Sequence, residues 1–361
     1  MFRNIFAWIN RYERHLSVAA MIGGFIVDSI YFDRVDIWQT QTVFIAYVAI
    51  CFISIPLLHY IETQGARTGW RPRWRGLLPI ATQFALGGLW SGFVIFYGRS
   101  AVIGASWPFL LFIFAILIGN EVFKKYHERL VFTSVLFFFA LYSYAIFLVP
   151  IYTNQIGTLT FLESGVAAIV VFGLFTALLR MVGKERFLAD IFNIRLGSLA
   201  VFLTINLFYF TNILPPLPLA AKAVGIYHSV ERVPGDYVAD TEQESWLARY
   251  LGLAPTEHVL EGDSLYAYTS VFAPTALTTT IVHRWQWYDP ERSEWVTRAA
   301  ITYPIQGGRD GGYRGYSAAI MRSAGRWRVS VETADGRVIA RLPFTVIFVN
   351  QKPPLETIIL P

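Results

Sequence analysis

The chain has 361 residues, of which 55% are hydrophobic and 15% charged, and its mean hydropathy of +0.45 excludes an ordinary soluble globule. Its formal charge of +5 suggests nucleic acid until the charge is divided along the chain. Residues 1–221 hold 16 Lys/Arg against 10 Asp/Glu, and residues 222–361 hold 14 against 15. The basic excess belongs to the apolar half, where positive loops have a topological explanation, so no nucleic-acid partner is expected. A single cysteine, Cys51, sits in an apolar run and can form no disulfide within the chain.

Arg3, Arg11 and Arg14 precede the apolar stretch Leu16–Phe32. This resembles the start of a signal peptide, but Asp28, Tyr31 and Phe32 occupy the place a small-residue cleavage site requires. An uncleaved first crossing is expected. Further crossings are predicted at Trp38–His59, Leu77–Tyr97, Ala101–Asn120, Leu130–Pro150 and Thr158–Met181. The last, Arg195–Leu214, stops at Pro215, Pro216 and Pro218, which cannot continue a helix. That makes seven, each long enough to span a bilayer.

Loop charge sets the orientation. Fourteen basic residues (in 3–14, 67–75, 124–129 and 180–195) fall on one side, and only Arg34 and Arg99 on the other. The positive-inside rule places the N-terminus in the cytoplasm and everything beyond about residue 219 outside. The expected location is the bacterial inner membrane, with the C-terminal domain in the periplasm. Tryptophans and tyrosines near the span ends (Trp38, Trp70, Trp74, Tyr97, Trp107, Tyr152) fit interfacial anchors. The run Trp70–Arg75 fits either head-group binding or topology alone. Gly88 and Gly92 have the small-xxx-small spacing that lets helices approach closely.

Polar residues within the spans are few. Asp28, Arg99 and Glu163 each fall toward the outer end of a predicted span. They form either a polar pocket open to the outer face or a structural ion pair at the wet interface. Both readings stay open at this point.

Beyond the prolines the pattern changes. Val224–Val233 alternates like a strand, and a short helix is expected around Glu242–Tyr250. Strands are predicted at Leu265–Ala273, Leu277–Tyr288, Trp295–Pro304, Tyr313–Met321, Trp327–Thr333 and Val338–Phe348, with Asp335-Gly336 as a hairpin turn. Short alternating strands over about 100 residues fit an immunoglobulin-like sandwich. The expected organisation is therefore 1–217 a polytopic transmembrane domain, 218–260 a connecting segment, 261–350 the all-β sandwich and 351–361 a tail.

The motifs GDSLYAYTSVFAP (Gly262–Pro274), IVHRWQW (Ile281–Trp287), GGRDGGYRGYSAAI (Gly307–Ile320) and GRWRVSVETADGRVIARLPFTV (Gly325–Val346) resemble domain-of-unknown-function family 2914. PPLPLAAKAVGIYHSVERV (Pro215–Val233) and the crossings before it resemble its bacterial partner family 5924, a polytopic module. The resemblance implies architecture and carries no activity or site residues.

No catalytic motif is found. Gly315-Tyr-Ser317 lacks the second glycine of a nucleophile elbow. The six histidines form no HxxxH or HxH pair, so no metal site is predicted. The Gly-rich stretch 307–315 lacks the GK[ST] of a phosphate loop, and no cofactor is implied. Its Arg309, Asp310, Tyr313, Arg314 and Tyr316 are the candidate recognition residues, against the plainer reading of a loop between strands. Trp285 and Trp327 are expected in the core, and Trp295 is left open between core and an exposed stacking face.

Two functions follow. The first is a non-enzymatic membrane protein whose sandwich binds an envelope protein, glycan or lipid. The second is a transporter or membrane enzyme whose site is the Asp28–Arg99–Glu163 cluster.

Overall fold

The computed structural model of the chain describes residues 25–26, 28–30, 32, 36–69, 72, 75, 77–100, 103–122, 130–182, 184–216, 218–243, 254–274, 277–308 and 311–361. Two compact units are defined. One is helical and comprises Met1–Gly98, Trp107–Tyr152 and Thr158–Leu214. The other comprises Pro215–Pro361 with Arg99–Ser106 and Thr153–Gly157.

The helices of the first unit are α1 (Trp38–Thr68), α2 (Leu77–Ser100), α3 (Ile103–Val122), α4 (Leu130–Thr153), α5 (Thr158–Val182) and α6 (Lys184–Phe210). Among the described residues, five stretches are long and apolar enough to cross a membrane: Trp38–Gly65, Leu77–Ser100, Leu130–Thr153, Thr158–Val182 and Phe187–Phe210. In α3 the apolar helix is shorter, Ser106–Gly119. Most of the expected crossing Leu16–Phe32 lies outside the described residues, although 25–26 and 28–30 are helical.

The final helix differs from expectation. It begins at Lys184 rather than Arg195 and ends at Phe210, before the prolines. Asn212 adopts φ 56°. Its N–H donates to the Tyr209 carbonyl (3.1 Å), and the Ile213 N–H donates to the Phe208 carbonyl (2.9 Å). These two bonds are a Schellman C-cap, so a left-handed asparagine stops the helix before Pro215 can.

Burial separates the helices by role. In α4, Phe137 through Phe147 are all buried, so this helix is apolar all round and forms the interior of its unit. In α6, Leu188, Phe192, Leu196, Leu199, Leu203, Leu207 and Phe210 recur every three or four residues, and all are exposed. Gly88 and Gly92 serve close approach: a Cβ on either would stand 2.4 Å from the ring of Tyr47 or Phe44 of α1. Helix contacts also include the hydrogen bonds Ser54–Thr82 (2.7 Å) and Tyr144–Gln41 (2.7 Å). Trp38, Trp107 and Tyr152 are exposed near helix ends. Tyr97 is not an interfacial anchor but fully buried, with its ring 4.7 Å from both Phe109 and Phe147.

The second unit has eleven described strands in three sheets: β1 (Ala220–Tyr227), β2 (Ser229–Val233), β3 (Asp236–Glu242), β4 (Thr256–Val259), β5 (Ser264–Phe272), β6 (Thr278–Asp289), β7 (Glu294–Gln306), β8 (Tyr313–Ile320), β9 (Gly325–Thr333), β10 (Val338–Phe348) and β11 (Leu355–Leu360). Their orders are β1-β5-β8, β4-β10-β9-β6-β7 and β11-β3-β2. Alternation places Ile281, His283 and Trp285 of β6 and Trp327, Val329 and Val331 of β9 inward. The apolar ones among them share one core with Ile226 of β1, Leu265 and Ala267 of β5, and Phe344 of β10. The three- and five-stranded sheets thus enclose a common core, and Trp285 and Trp327 belong to it.

The stretch 218–260, read as a connecting segment, carries β1 to β4, and the tail 351–361 carries β11. β11 pairs antiparallel with β3, Leu355 opposite Glu242 and Leu360 opposite Tyr237. β2 and β3 form a local hairpin, but β1, β4 and β11 pair with distant partners, which local patterning cannot reveal. The helix expected around Glu242–Tyr250 falls largely outside the described residues.

Candidate functional site

The recognition residues fall on the β-unit. Arg309 and Asp310 lie outside the described residues. Tyr313, Arg314 and Tyr316 are on β8, not in a free loop, opposite Val271, Ser270 and Tyr268 of β5. Gly312, just before β8, has φ +85°, and a Cβ there would stand 2.5 Å from the Ser270 hydroxyl, so the chain can enter β8 this way only as glycine. Arg314 donates from Nη1 to Asp236 Oδ1 (3.2 Å). Its guanidinium lies 5.9 Å from the centre of the Tyr237 ring. Tyr316 is 41% exposed, its ring centre 6.2 Å from those of Tyr237 and Tyr266. The β2–β3 turn and the entry to β8 border a cavity of about 190 Å3, lined by Arg232, Asp236, Tyr237, Gly312 and Arg314.

In the helical unit Asp28 is half-buried near Ser91 and Tyr47, and Glu163 is exposed on α5. Arg99 is exposed near the end of α2. A separate cavity of about 750 Å3 is lined mainly by apolar residues such as Phe112, Leu136 and Phe139, with Asp190 and Asn193. None of Asp28, Arg99 and Glu163 lines it.

Ser317 does meet a histidine, which the motif search missed. His283 Nδ1 is 2.8 Å from Ser317 Oγ, and Trp285 Nε1 donates to the same oxygen (3.0 Å). At the other ring nitrogen, His283 Nε2 is 3.0 Å from Thr269 Oγ1 and 2.9 Å from Tyr303 OH. Ser317 and His283 are buried between the sheets. The pair ties β5 and β8 to β6 and β7. Burial pushes the His283 imidazole down to about 4, so it is neutral at pH 7.

Trp295 is half-buried on β7. Arg328 covers its ring at 4.2 Å, and Arg326 stacks on Tyr288 at 4.3 Å. Those faces are taken by guanidinium groups.

The second constellation missed by the sequence reading joins His228, Glu242, Glu257 and His258. His228 is the corner between β1 and β2, and its N–H donates to the Asp240 carbonyl (2.8 Å). Glu242 ends β3, and Glu257 and His258 lie on β4, which runs parallel to β10. His228 Nε2 is 3.0 Å from Glu242 Oε1 and 3.3 Å from Glu257 Oε2. Glu242 Oε1 accepts from the His258 backbone N–H (2.5 Å), and its Oε2 is 2.8 Å from His258 Nδ1. Burial works against the charged form of His228. The hydrogen bonds and charges of Glu257 and Glu242 outweigh it and raise its pKa. Burial likewise opposes ionisation of Glu242, and the hydrogen bonds from His258 and His228 outweigh it in the other direction. His228, Glu242 and Glu257 offer ligand atoms all within 4.8 Å of one another. Their sequence separations carry no metal-motif signature, and only the meeting of two sheets brings them together.

The model of a family described as "Protein of unknown function (DUF2914)" matches residues 278–346, from the start of β6 to most of β10. No curated protein matches the chain. Among solved structures, the Pseudomonas fluorescens alkylpurine DNA glycosylase AlkC bound to DNA containing an abasic site analog aligns at 9% identity over 83% of this chain and 98% of that one. The TM-score is 0.20, and the likeness carries no argument about fold or activity.

Proposed function

We propose that this chain is a multi-pass protein of the bacterial inner membrane that presents an immunoglobulin-like sandwich in the periplasm, where it binds an envelope partner and catalyses nothing. The apolar stripe along α6 supports the membrane reading, because a face of that kind is stable against lipid. With Leu16–Phe32 and α3, whose 20 residues reach about 30 Å, the five long apolar stretches become seven crossings. The loop charges then place the N-terminus in the cytoplasm and the β-unit outside. The resemblance to families 5924 and 2914 fits this order of modules.

The observation that carries the binding role is the cavity between Arg232, Asp236, Tyr237 and Arg314. Its volume of about 190 Å3 is below the roughly 300–1,000 Å3 of small-molecule sites. It admits one ring or one side chain of a larger partner, with Tyr316 as an exposed aromatic face beside it. The partner is a periplasmic protein, a glycan or a lipid head group.

Topology is tested by fusing a reporter active only in the cytoplasm after Pro361, which should stay silent. Strong activity would overturn the placement of the β-unit. Binding is tested in living cells with a photo-crosslinking amino acid at position 316. A discrete adduct is expected, weakened by Asp236→Ala and Arg314→Ala, with none from the same probe at Ile359. Equal patterns from both positions, or none from 316, would refute the site.

A further inference from the structure

We infer that His228, Glu242 and Glu257 form a binding site for a divalent first-row transition ion such as zinc, and that His258 positions Glu242 within it. The inference is independent of the side of the membrane on which the β-unit lies.

Donor spacing is the first argument. Around a tetrahedral ion with bonds of about 2.0–2.1 Å, neighbouring donor atoms stand roughly 3.3–3.4 Å apart. The Nε2 of His228 is 3.0 and 3.3 Å from its two carboxylate oxygens, so small side-chain movements would admit the ion. A single imidazole nitrogen carries at most one proton and makes one well-aligned hydrogen bond. Two carboxylates converging on that one nitrogen fit a shared ion better than a shared proton.

Donor type narrows the ion. An imidazole with two carboxylates suits zinc, manganese, iron, cobalt or nickel. Calcium and magnesium are disfavoured, because they take all-oxygen shells with more ligands. No thiolate is present to select a soft ion.

Placement is the third argument. Side-chain exposure is 12% for His228, 17% for Glu242 and 4% for Glu257, against 39% for His258. The donors are thus withdrawn from solvent, while His258 marks the open side. Through its ring and its backbone N–H, His258 engages both oxygens of Glu242, as outer-shell groups hold metal-binding carboxylates. Three protein donors leave one position for water or an exogenous ligand. The ion would join the β1–β2 corner and β3 to β4, and so link the small sheet to the five-stranded one.

The test uses the untagged full-length protein in detergent, stripped with chelator and dialysed against zinc. A single zinc ion per chain should be retained. Glu257→Gln should weaken the affinity at least ~100-fold, and His258→Ala should weaken it ~10–100-fold with the stoichiometry kept. Glu291→Gln, on an exposed turn, should change nothing. X-ray absorption on the zinc-loaded wild type, which needs no variant to fold, should show one imidazole among oxygen ligands. A wild type that retains no zinc, a folded Glu257→Gln protein that binds as tightly as wild type, or a zinc shell without imidazole would each overturn the inference.

Discussion

Replacing Ser317 by alanine tests whether the buried polar network holds the two sheets together. The hydroxyl serves two partners, the His283 imidazole at 2.8 Å and the Trp285 indole N–H at 3.0 Å. Both residues are fully buried, so neither group can turn to bulk solvent. A buried polar group left without its partner costs about 1–3 kcal/mol, and the space vacated by one oxygen is too small to hold a water with its own partners. With two such groups the expected loss is about 2–6 kcal/mol, far above the ~0.5 kcal/mol of an ordinary surface change. Pulse proteolysis of the detergent-solubilised chain across a urea series reads it out. With a slope of about 2 kcal/mol per molar, the midpoint for the β-unit should fall by about 1–3 M. Trp285→Phe removes one orphan in advance, so the double variant should lose less than the sum of the singles, by about 1–2 kcal/mol. A Ser317→Ala midpoint within ~0.5 kcal/mol of wild type, or strict additivity in the cycle, would show that the hydroxyl does not bridge the sheets.

Acid should destabilise the β-unit through His283. Its pKa is lowered to about 4 from an ordinary 6.5, so the unfolded chain takes up a proton between these values and the folded one does not. The full stability is present above pH 6.5. About 3 kcal/mol is lost progressively down to pH 4, and a His283→Gln protein should show a shallower loss over that window in the same urea assay. Trp327→Ala should cost about 3–5 kcal/mol, since the ring is buried in the shared core against Phe344; a melting transition that ignored the change would place the ring on the surface. Gly92→Val should loosen α1 from α2, because even a Cβ would stand 2.4 Å from the Phe44 ring. Cysteine crosslinking between those helices should weaken, and unchanged crosslinking would mean that the ring moves aside freely.

Residues near one another in the chain were legible in the sequence. Helix positions from Trp38 to Val182 and the strands from Ser264 to Phe348 lie close to the predicted runs, because period and turn chemistry are local properties. The inward faces of β6 and β9 followed from alternation alone, and with them the burial of Trp285 and Trp327. The C-cap of α6 was less legible: three prolines announce a stop, but Asn212 adopts the left-handed conformation three residues earlier. Alternation over Val224–Val233 marks one strand where the structure has β1 and β2, broken at His228, and nothing local marks β11, whose partner β3 lies more than a hundred residues earlier. The candidate site shows the same limit more sharply. Arg314 and Tyr316 were picked out by composition, whereas Asp236 and Tyr237, which complete the cavity, come from a hairpin some eighty residues earlier. His228, Glu242 and Glu257 carry no spacing signature, because they sit on a corner and two strand segments rather than on one helix or hairpin. Only the pairing of strands from three parts of the chain brings two carboxylates within 3.3 Å of one imidazole nitrogen, and side-chain chemistry at that range is fixed by tertiary packing.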